Sequence, residues 1–232
     1  MLLALLFIII LLGLGVCHHL TSRYATAMNL GRRCPSPENR TGAQIAEEFL
    51  RAEGAADVKV LGHEGVVSDY FDPARRCLYL RRDTREGKDL AAWAMALHEA
   101  AHALQTGEAR EALKWRQTCI SLCRYLPTAL FILLLAAVFL LRLRAFKLFL
   151  ILFAIACGGA LLLNLGTLAV EYNANQRLQR WLRQRFARDP QTLEKLEAIL
   201  ASVATREAGD LLQSPRYFFL SALPGASPKR PS

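Results

Sequence analysis

Three long apolar runs divide the chain. Met1–Cys17, Tyr125–Leu141 and Leu148–Val170 contain no charged side chain. A transmembrane helix needs about 20 apolar residues, with roughly 17 as the lower limit. The third run meets this length, and the other two lie at the limit. The three runs together predict an integral membrane protein with about three transmembrane helices. Because only residues 142–147 separate the last two runs, these two helices are expected to form a tight hairpin.

A short amphipathic helix is predicted after the first run. Thr41 has the chemistry of a helix N-cap, and Gln44 stands three residues later as its capping partner. Apolar residues recur at helical spacing as far as Leu50, and Gly54 is expected to end the helix.

The next segment has the alternation of a β-structure. Gly65–Phe71 and Arg76–Arg81 predict a β-hairpin, since Asp72-Pro73-Ala74-Arg75 between them has turn chemistry. The outer strand of such a hairpin would present unpaired backbone groups, on which an extended peptide could lie.

The most informative motif lies in a second apolar helix, which Asp89 is expected to cap. His98-Glu99-Ala100-Ala101-His102 places two histidines four residues apart, so both face the same side of the helix. Two imidazoles at this spacing can converge on one zinc ion, and Glu99 can reach a water in its open coordination position. The alternative interpretation is the polar face of an ordinary amphipathic helix, so a third ligand is needed.

Glu171 is the preferred third ligand. It is the first ionisable residue after the third apolar run. A hairpin of two membrane helices returns the chain to the side from which it left, so Glu171 and His98 are expected on the same side. An acidic residue that merely marks the end of a membrane helix is the alternative. Asn175 follows four residues later on the same helix face and could orient Glu171 or a histidine.

Four stretches resemble the bacterial membrane-bound neutral zinc metallopeptidases of the YugP-like type. They are TGAQIAEEFL (41–50), VVSDYFDP (66–73), LHEAAHALQ (97–105) and TLAVEYNANQRL (167–178). This family usually has glycine where Ala101 stands and proline where Ala169 stands. The resemblance implies a zincin-like fold, His98, His102 and Glu171 as ligands of one Zn²⁺ ion, and Glu99 as the catalytic base.

The predicted fold is mainly α-helical with a small β-hairpin, in which a zincin-like metallopeptidase domain is joined to about three transmembrane helices. A further amphipathic helix is expected at 198–214, with Tyr217–Leu220 touching the membrane interface. The expected division is a membrane anchor that is not cleaved (1–17), a basic linker (18–40), the zincin-like domain (41–124), the helical hairpin (125–170), a helical segment with the third ligand (171–213) and a flexible basic tail (214–232).

The net charge of +9 bears on the predicted membrane topology and on contact with lipid headgroups. Cations near the apolar runs are more numerous on the predicted catalytic side than in the 142–147 loop, so the positive-inside rule favours a catalytic domain in the cytoplasm of a bacterial inner membrane. Three cations in that short loop resist translocation, and the alternative is a hairpin that dips into the membrane without crossing it. Contact with lipid headgroups explains much of this charge. No nucleic-acid-binding motif accompanies it, and we expect no nucleic-acid partner. The oligomeric state is not predicted.

The sequence therefore predicts an integral membrane zinc metalloendopeptidase that acts on peptide or protein substrates. One alternative is a metal-stabilised membrane scaffold without turnover, although Glu99 would then have no role. The other is an HtpX-like membrane protease, which also combines His-Glu-x-x-His with a later glutamate. The stretch around Glu171 resembles the first family more closely.

Overall fold

The computed structural model describes residues 2–64, 68–141 and 146–206. The fold is mainly α-helical with one small sheet, as predicted. Its helices are α1 (Leu2–Arg32), α2 (Gly42–Ala52), α3 (Arg82–Glu86), α4 (Leu90–Ala101), α5 (Glu108–Leu141), α6 (Phe146–Gly166), α7 (Leu168–Arg185) and α8 (Pro190–Val203), and its strands are β1 (Lys59–His63), β2 (Tyr70–Asp72) and β3 (Cys77–Arg81).

The predicted hairpin is present as β2 and β3, which pair antiparallel with Phe71 opposite Leu78. Asp72 shapes the turn, because its Oδ1 accepts hydrogen bonds from the backbone N–H groups of Ala74 (2.9 Å) and Arg75 (3.1 Å). The sequence did not reveal that β1 would pair with β3 in parallel. The strand order is therefore β1-β3-β2, which makes β2 an edge strand.

Both predicted N-caps are confirmed. Thr41 and Gln44 form a reciprocal capping box at the start of α2. The Asp89 carboxylate accepts a hydrogen bond of 2.9 Å from the backbone N–H of Ala92 and so satisfies a free donor in the first turn of α4. This cap defines the residue at which the histidine-bearing helix begins.

Helix α4 lies at the centre of the main hydrophobic core. All twelve of its residues are buried, because α2, α8, α1 and α7 pack around it. Trp93 is fully buried and donates its Nε1–H to the carbonyl of Arg40 at 2.8 Å. Polar side chains on such a helix need partners inside the protein, since solvent is excluded.

Three helices in the described part of the chain are long and apolar enough to cross a membrane: Ile8–Arg32, Glu108–Ala137 and Ile151–Arg185. Many of their large apolar side chains remain at the surface, with Leu133 67% and Leu162 73% exposed. This agrees with about three transmembrane helices.

The helix ends differ from the sequence-based expectation at three places. Helix α1 continues past Cys17 to Arg32, so most of the segment expected to be a linker is helical. A turn at Thr167 separates α6 from α7, which was expected as one run to Val170. Helix α8 begins at Pro190 and ends at Val203, whereas the predicted 198–214 helix and the Tyr217–Leu220 contact extend beyond the described residues.

Candidate metal centre

Helix α4 and the turn after it position the histidine pair. His98 and Glu99 lie in the last turn of α4, and His102 begins a short 3-10 segment that follows directly. The two imidazole centroids are 5.0 Å apart. His98, Glu99 and His102 each offer a donor atom, and these atoms lie within 4.8 Å of one another. All three side chains are at most 1% exposed.

The tautomer of His98 follows from its neighbour on α7. Asn175 donates its Nδ2–H to the carbonyl of Leu200 at 2.8 Å, so its Oδ1 is the atom that lies 2.9 Å from His98 Nδ1. An amide oxygen only accepts hydrogen bonds, and His98 therefore carries a proton on Nδ1. In the neutral imidazole, Nε2 then holds a free lone pair.

His102 is fixed in the same way by Gln105. The Gln105 amide nitrogen donates to the carbonyl of Val170 at 3.0 Å and to Asn173 Oδ1 at 3.2 Å. Its oxygen lies 3.0 Å from His102 Nδ1 and accepts the proton there. The Nε2 lone pairs of both histidines are consequently available on the opposite edges of the rings.

Glu171 faces both of these nitrogens. Its Oε2 lies 2.9 Å from His98 Nε2 and 3.6 Å from His102 Nε2, while its Oε1 forms an ion pair with Arg116 of α5. Two nitrogen lone pairs and a carboxylate oxygen are all acceptors, so this arrangement requires a proton or a cation between them. Imidazole nitrogen and carboxylate oxygen are ordinary zinc ligands, and this donor set fits a zinc ion.

Glu99 has a different partner. Its Oε1 accepts a hydrogen bond of 2.5 Å from Arg206, which follows α8. The same guanidinium lies 3.4 Å from the carbonyl of Asp69, just before the edge strand β2. In the described part of the chain, Glu99 Oε2 makes no hydrogen bond, and neither does His102 Nε2. Both are buried polar atoms that would bind a cation or a polar ligand.

Burial and neighbouring charges have opposite effects on the pKa values of His98 and Glu99. Burial disfavours protonation of His98, but the hydrogen bond and negative charge of Glu171 outweigh it and raise the pKa of His98. Burial also favours the neutral acid at Glu99. The positive charge of Arg206, with smaller contributions from the two histidines, outweighs burial and lowers the pKa of Glu99. Glu99 is thus held as a carboxylate.

The structure brings together all five residues singled out from the sequence: His98, Glu99, His102, Glu171 and Asn175. Three residues of the surroundings were missed as functional candidates: Gln105, Arg116 and Arg206. Gln105 had a usable signal, because it lies three residues after His102 in a stretch shared with the resembled family. Arg206 was expected on the polar face of an amphipathic helix, but it is 9% exposed and paired with Glu99.

Comparison with known proteins supports the zinc interpretation. A family model described as "Putative neutral zinc metallopeptidase" matches residues 2–208. The Bacillus subtilis (strain 168) protein named "Putative membrane protease YugP" is 34% identical over 138 residues, a stretch that spans 60% of this chain and 60% of that protein. No solved structure matches the chain. Because the family model covers most of the sequence, this protein belongs to that family of neutral zinc metallopeptidases.

Proposed function

We propose that this protein is an integral membrane zinc metalloendopeptidase with one Zn²⁺ ion held by His98, His102 and Glu171. The observation that carries the proposal is the convergence of three acceptor atoms. Both histidines have Nδ1 occupied by an amide oxygen, and Glu171 Oε2 lies 2.9 and 3.6 Å from their Nε2 atoms. Three protein ligands leave a coordination position open, as in catalytic rather than structural zinc sites.

Glu99 is the proposed general base. When bound, the zinc ion would supply Lewis acidity, polarising the scissile carbonyl and lowering the pKa of a bound water. Glu99 would accept the proton of the attacking water and return it to the leaving nitrogen. Its carboxylate suits this role, because Arg206 holds Oε1 while Oε2 has no hydrogen bond within the described residues.

Arg116 orients the carboxylate of Glu171. Its ion pair with Glu171 Oε1 directs Oε2 towards both histidines. The side chains of Arg116 and Glu171 are 6% and 1% exposed, so the charge of each depends on the other. Asn175 and Gln105 would keep the imidazole rings oriented and their Nε2 lone pairs directed at the ion.

The substrate would lie along the outer edge of β2. The centre of the sheet is β3, so one edge of β2 has no partner strand among the residues that the structure describes, and an extended peptide can pair with such an edge. Helix α4 contacts both β2 and β3. Since Glu99 and both histidines are at most 1% exposed, the scissile bond can reach them only after a local opening of the surrounding structure.

A cytoplasmic position of the catalytic domain in a bacterial inner membrane, with membrane lipid as a partner, belongs to the same proposal. Four cations follow Glu171 on α7 and would lie on the same side of the membrane as the metal centre: Arg177, Arg180, Arg183 and Arg185. Under the positive-inside rule this side faces the cytoplasm. A zincin-like domain at 41–124 and a helical segment at 171–213 remain predictions.

The decisive experiment replaces Glu99 by glutamine, which has nearly the same shape but no basic oxygen. The variant should retain bound zinc, measured by elemental analysis of the purified protein, and should lose peptide cleavage. Glu171→Ala should lose zinc. The exposed Glu47 on α2 provides the control, since Glu47→Gln should change neither property. Full cleavage by Glu99→Gln would refute the mechanism, and full zinc occupancy in Glu171→Ala would refute the ligand set.

A further inference from the structure

The depth of the metal centre relative to the membrane can be estimated by counting residues along two helices. A bilayer has a hydrocarbon core about 30 Å thick, which an α-helix crosses in about 20 residues at a rise of about 1.5 Å per residue. Exposed apolar side chains on α5 and α6, such as Leu133 at 67% and Leu162 at 73%, identify these helices as the lipid-facing surface.

Helix α6 gives the first estimate of this depth. It has 21 residues, from Phe146 to Gly166, and so matches the hydrocarbon thickness. The turn at Thr167 follows, where Thr167 and Asn164 are buried polar residues. Glu171 lies five residues after Gly166, which places it about 7 Å beyond the hydrocarbon boundary.

Helix α5 gives an independent estimate of the depth, counted from the membrane surface at which the 142–147 loop is expected. Its apolar run ends at Leu141, directly before the charged Arg142, and about 20 residues counted back from there end near Leu122. Arg116 lies six residues before Leu122, about 9 Å beyond the boundary. Because Arg116 and Glu171 form an ion pair, they lie at one depth, and both estimates place this depth near the outer limit of the headgroup layer, which is about 5–7.5 Å thick.

The exposed aromatic residues agree with this depth. Trp115 is 60% and Tyr172 46% exposed, and each adjoins one member of the Arg116–Glu171 pair. Tryptophan and tyrosine concentrate at the membrane–water interface, where an apolar ring and a polar atom are both accommodated. An exposed indole next to a buried arginine is thus explained by contact with lipid headgroups.

We infer that the substrates are membrane-anchored polypeptides, cut within a few residues of the point where they leave the lipid. This inference rests on the proposed protease function and adds its substrate class. An extended chain rises about 3.3 Å per residue, so a site about 7–9 Å from the hydrocarbon is reached by about two to three residues. An anchored chain is also concentrated at the membrane surface, whereas a soluble peptide must reach a site recessed among headgroups.

The test uses the full chain, loaded with zinc, in vesicles of phosphatidylethanolamine and phosphatidylglycerol. The probe is a peptide library with one transmembrane helix followed by a randomised tail of about 24 residues, roughly 80 Å when extended. Mass spectrometry locates every cut, and the same tails without the anchor form the comparison. Cuts should cluster within about five residues of the anchor, and the free tails should be cut at least about tenfold more slowly.

The possible outcomes separate the two proposals. Cuts spread evenly along the tail, or equal rates for anchored and free tails, would overturn the substrate class and leave the protease function intact. If the wild type cuts no more than Glu99→Gln in either library, the proposed function itself fails.

A second measurement tests the depth without using activity. Tryptophan fluorescence is quenched by nitroxide-labelled lipids, and the difference between wild type and Trp115→Phe isolates Trp115, which has no proposed role in the metal centre. A label on the headgroup should quench this difference signal more strongly than a label in the middle of the acyl chain. Absence of quenching by both labels, or stronger quenching by the mid-chain label, would overturn the interfacial placement.

Discussion

Asn175 connects the proposed zinc ligand His98 to the end of α8. It accepts the Nδ1–H of His98 and donates to the carbonyl of Leu200. In Asn175→Ala, the Leu200 carbonyl keeps its hydrogen bond of 3.0 Å from the Ala204 N–H, and His98 loses its partner at Nδ1. A buried donor without a partner costs about 1–3 kcal/mol. Loss of an outer partner of a metal-bound histidine weakens metal binding about 10–100-fold, or about 1.4–2.7 kcal/mol.

Zinc affinity can be measured by competition with a chromophoric chelator, with the free energy of unfolding measured in parallel. Asn175→Asp restores an acceptor for His98 but cannot donate to the Leu200 carbonyl, so its zinc affinity should lie between those of Asn175→Ala and wild type. Ser202→Ala is the matched control, because it removes a buried hydrogen bond of 2.7 Å to the Ile199 carbonyl on the same helix. That control should lose stability but retain zinc affinity. A folded Asn175→Ala protein that binds zinc as tightly as wild type would refute the role of Asn175.

Three further substitutions test other parts of the structure. Arg206→Met should leave zinc content unchanged and reduce kcat about 10–100-fold, because Glu99 loses the guanidinium that holds Oε1; an unchanged kcat would show that Arg206 has no positioning role. Asp89→Ala should lower the free energy of unfolding by about 1 kcal/mol, and Asp89→Ser should restore most of it in denaturant titrations. Trp93→Ala should cost about 3–5 kcal/mol in the same assay, and a loss below about 1 kcal/mol would contradict its place in the core.

The local elements were predictable because their causes lie close together in the sequence. The capping box at Thr41, the cap at Asp89 and the turn at Asp72 each depend on neighbours within four residues. The parallel pairing of β1 with β3 was not predictable in this way. Lys59 lies opposite Cys77, eighteen residues later, and a short alternating segment does not specify which partner strand it will join.

The candidate site shows the same limit. Glu171 was predicted from topology, because two membrane helices in succession return the chain to its starting side, and it lies 2.9 Å from His98 Nε2. Arg116 and Arg206 gave no such signal, since a single arginine in a mixed segment normally has a solvated side chain. Their burial depends on pairing with Glu171 and Glu99 across separations of 55 and 107 residues.

The long apolar helices therefore do more than provide segments that could cross a membrane. The segment that contains His98 and Glu99 supplies neither the acceptor for His98 Nδ1 nor the carboxylate at Nε2; both come from α7, which follows the hairpin directly. The partner of that carboxylate, Arg116, belongs to α5, which is long and apolar enough to cross a membrane. A shift of one helical turn between α5 and α7, about 5.4 Å, would break this ion pair between two buried charges. Correct packing of the hairpin is thus a condition for the proposed metal centre, and zinc affinity should respond to changes inside the lipid as well as to changes among the ligands.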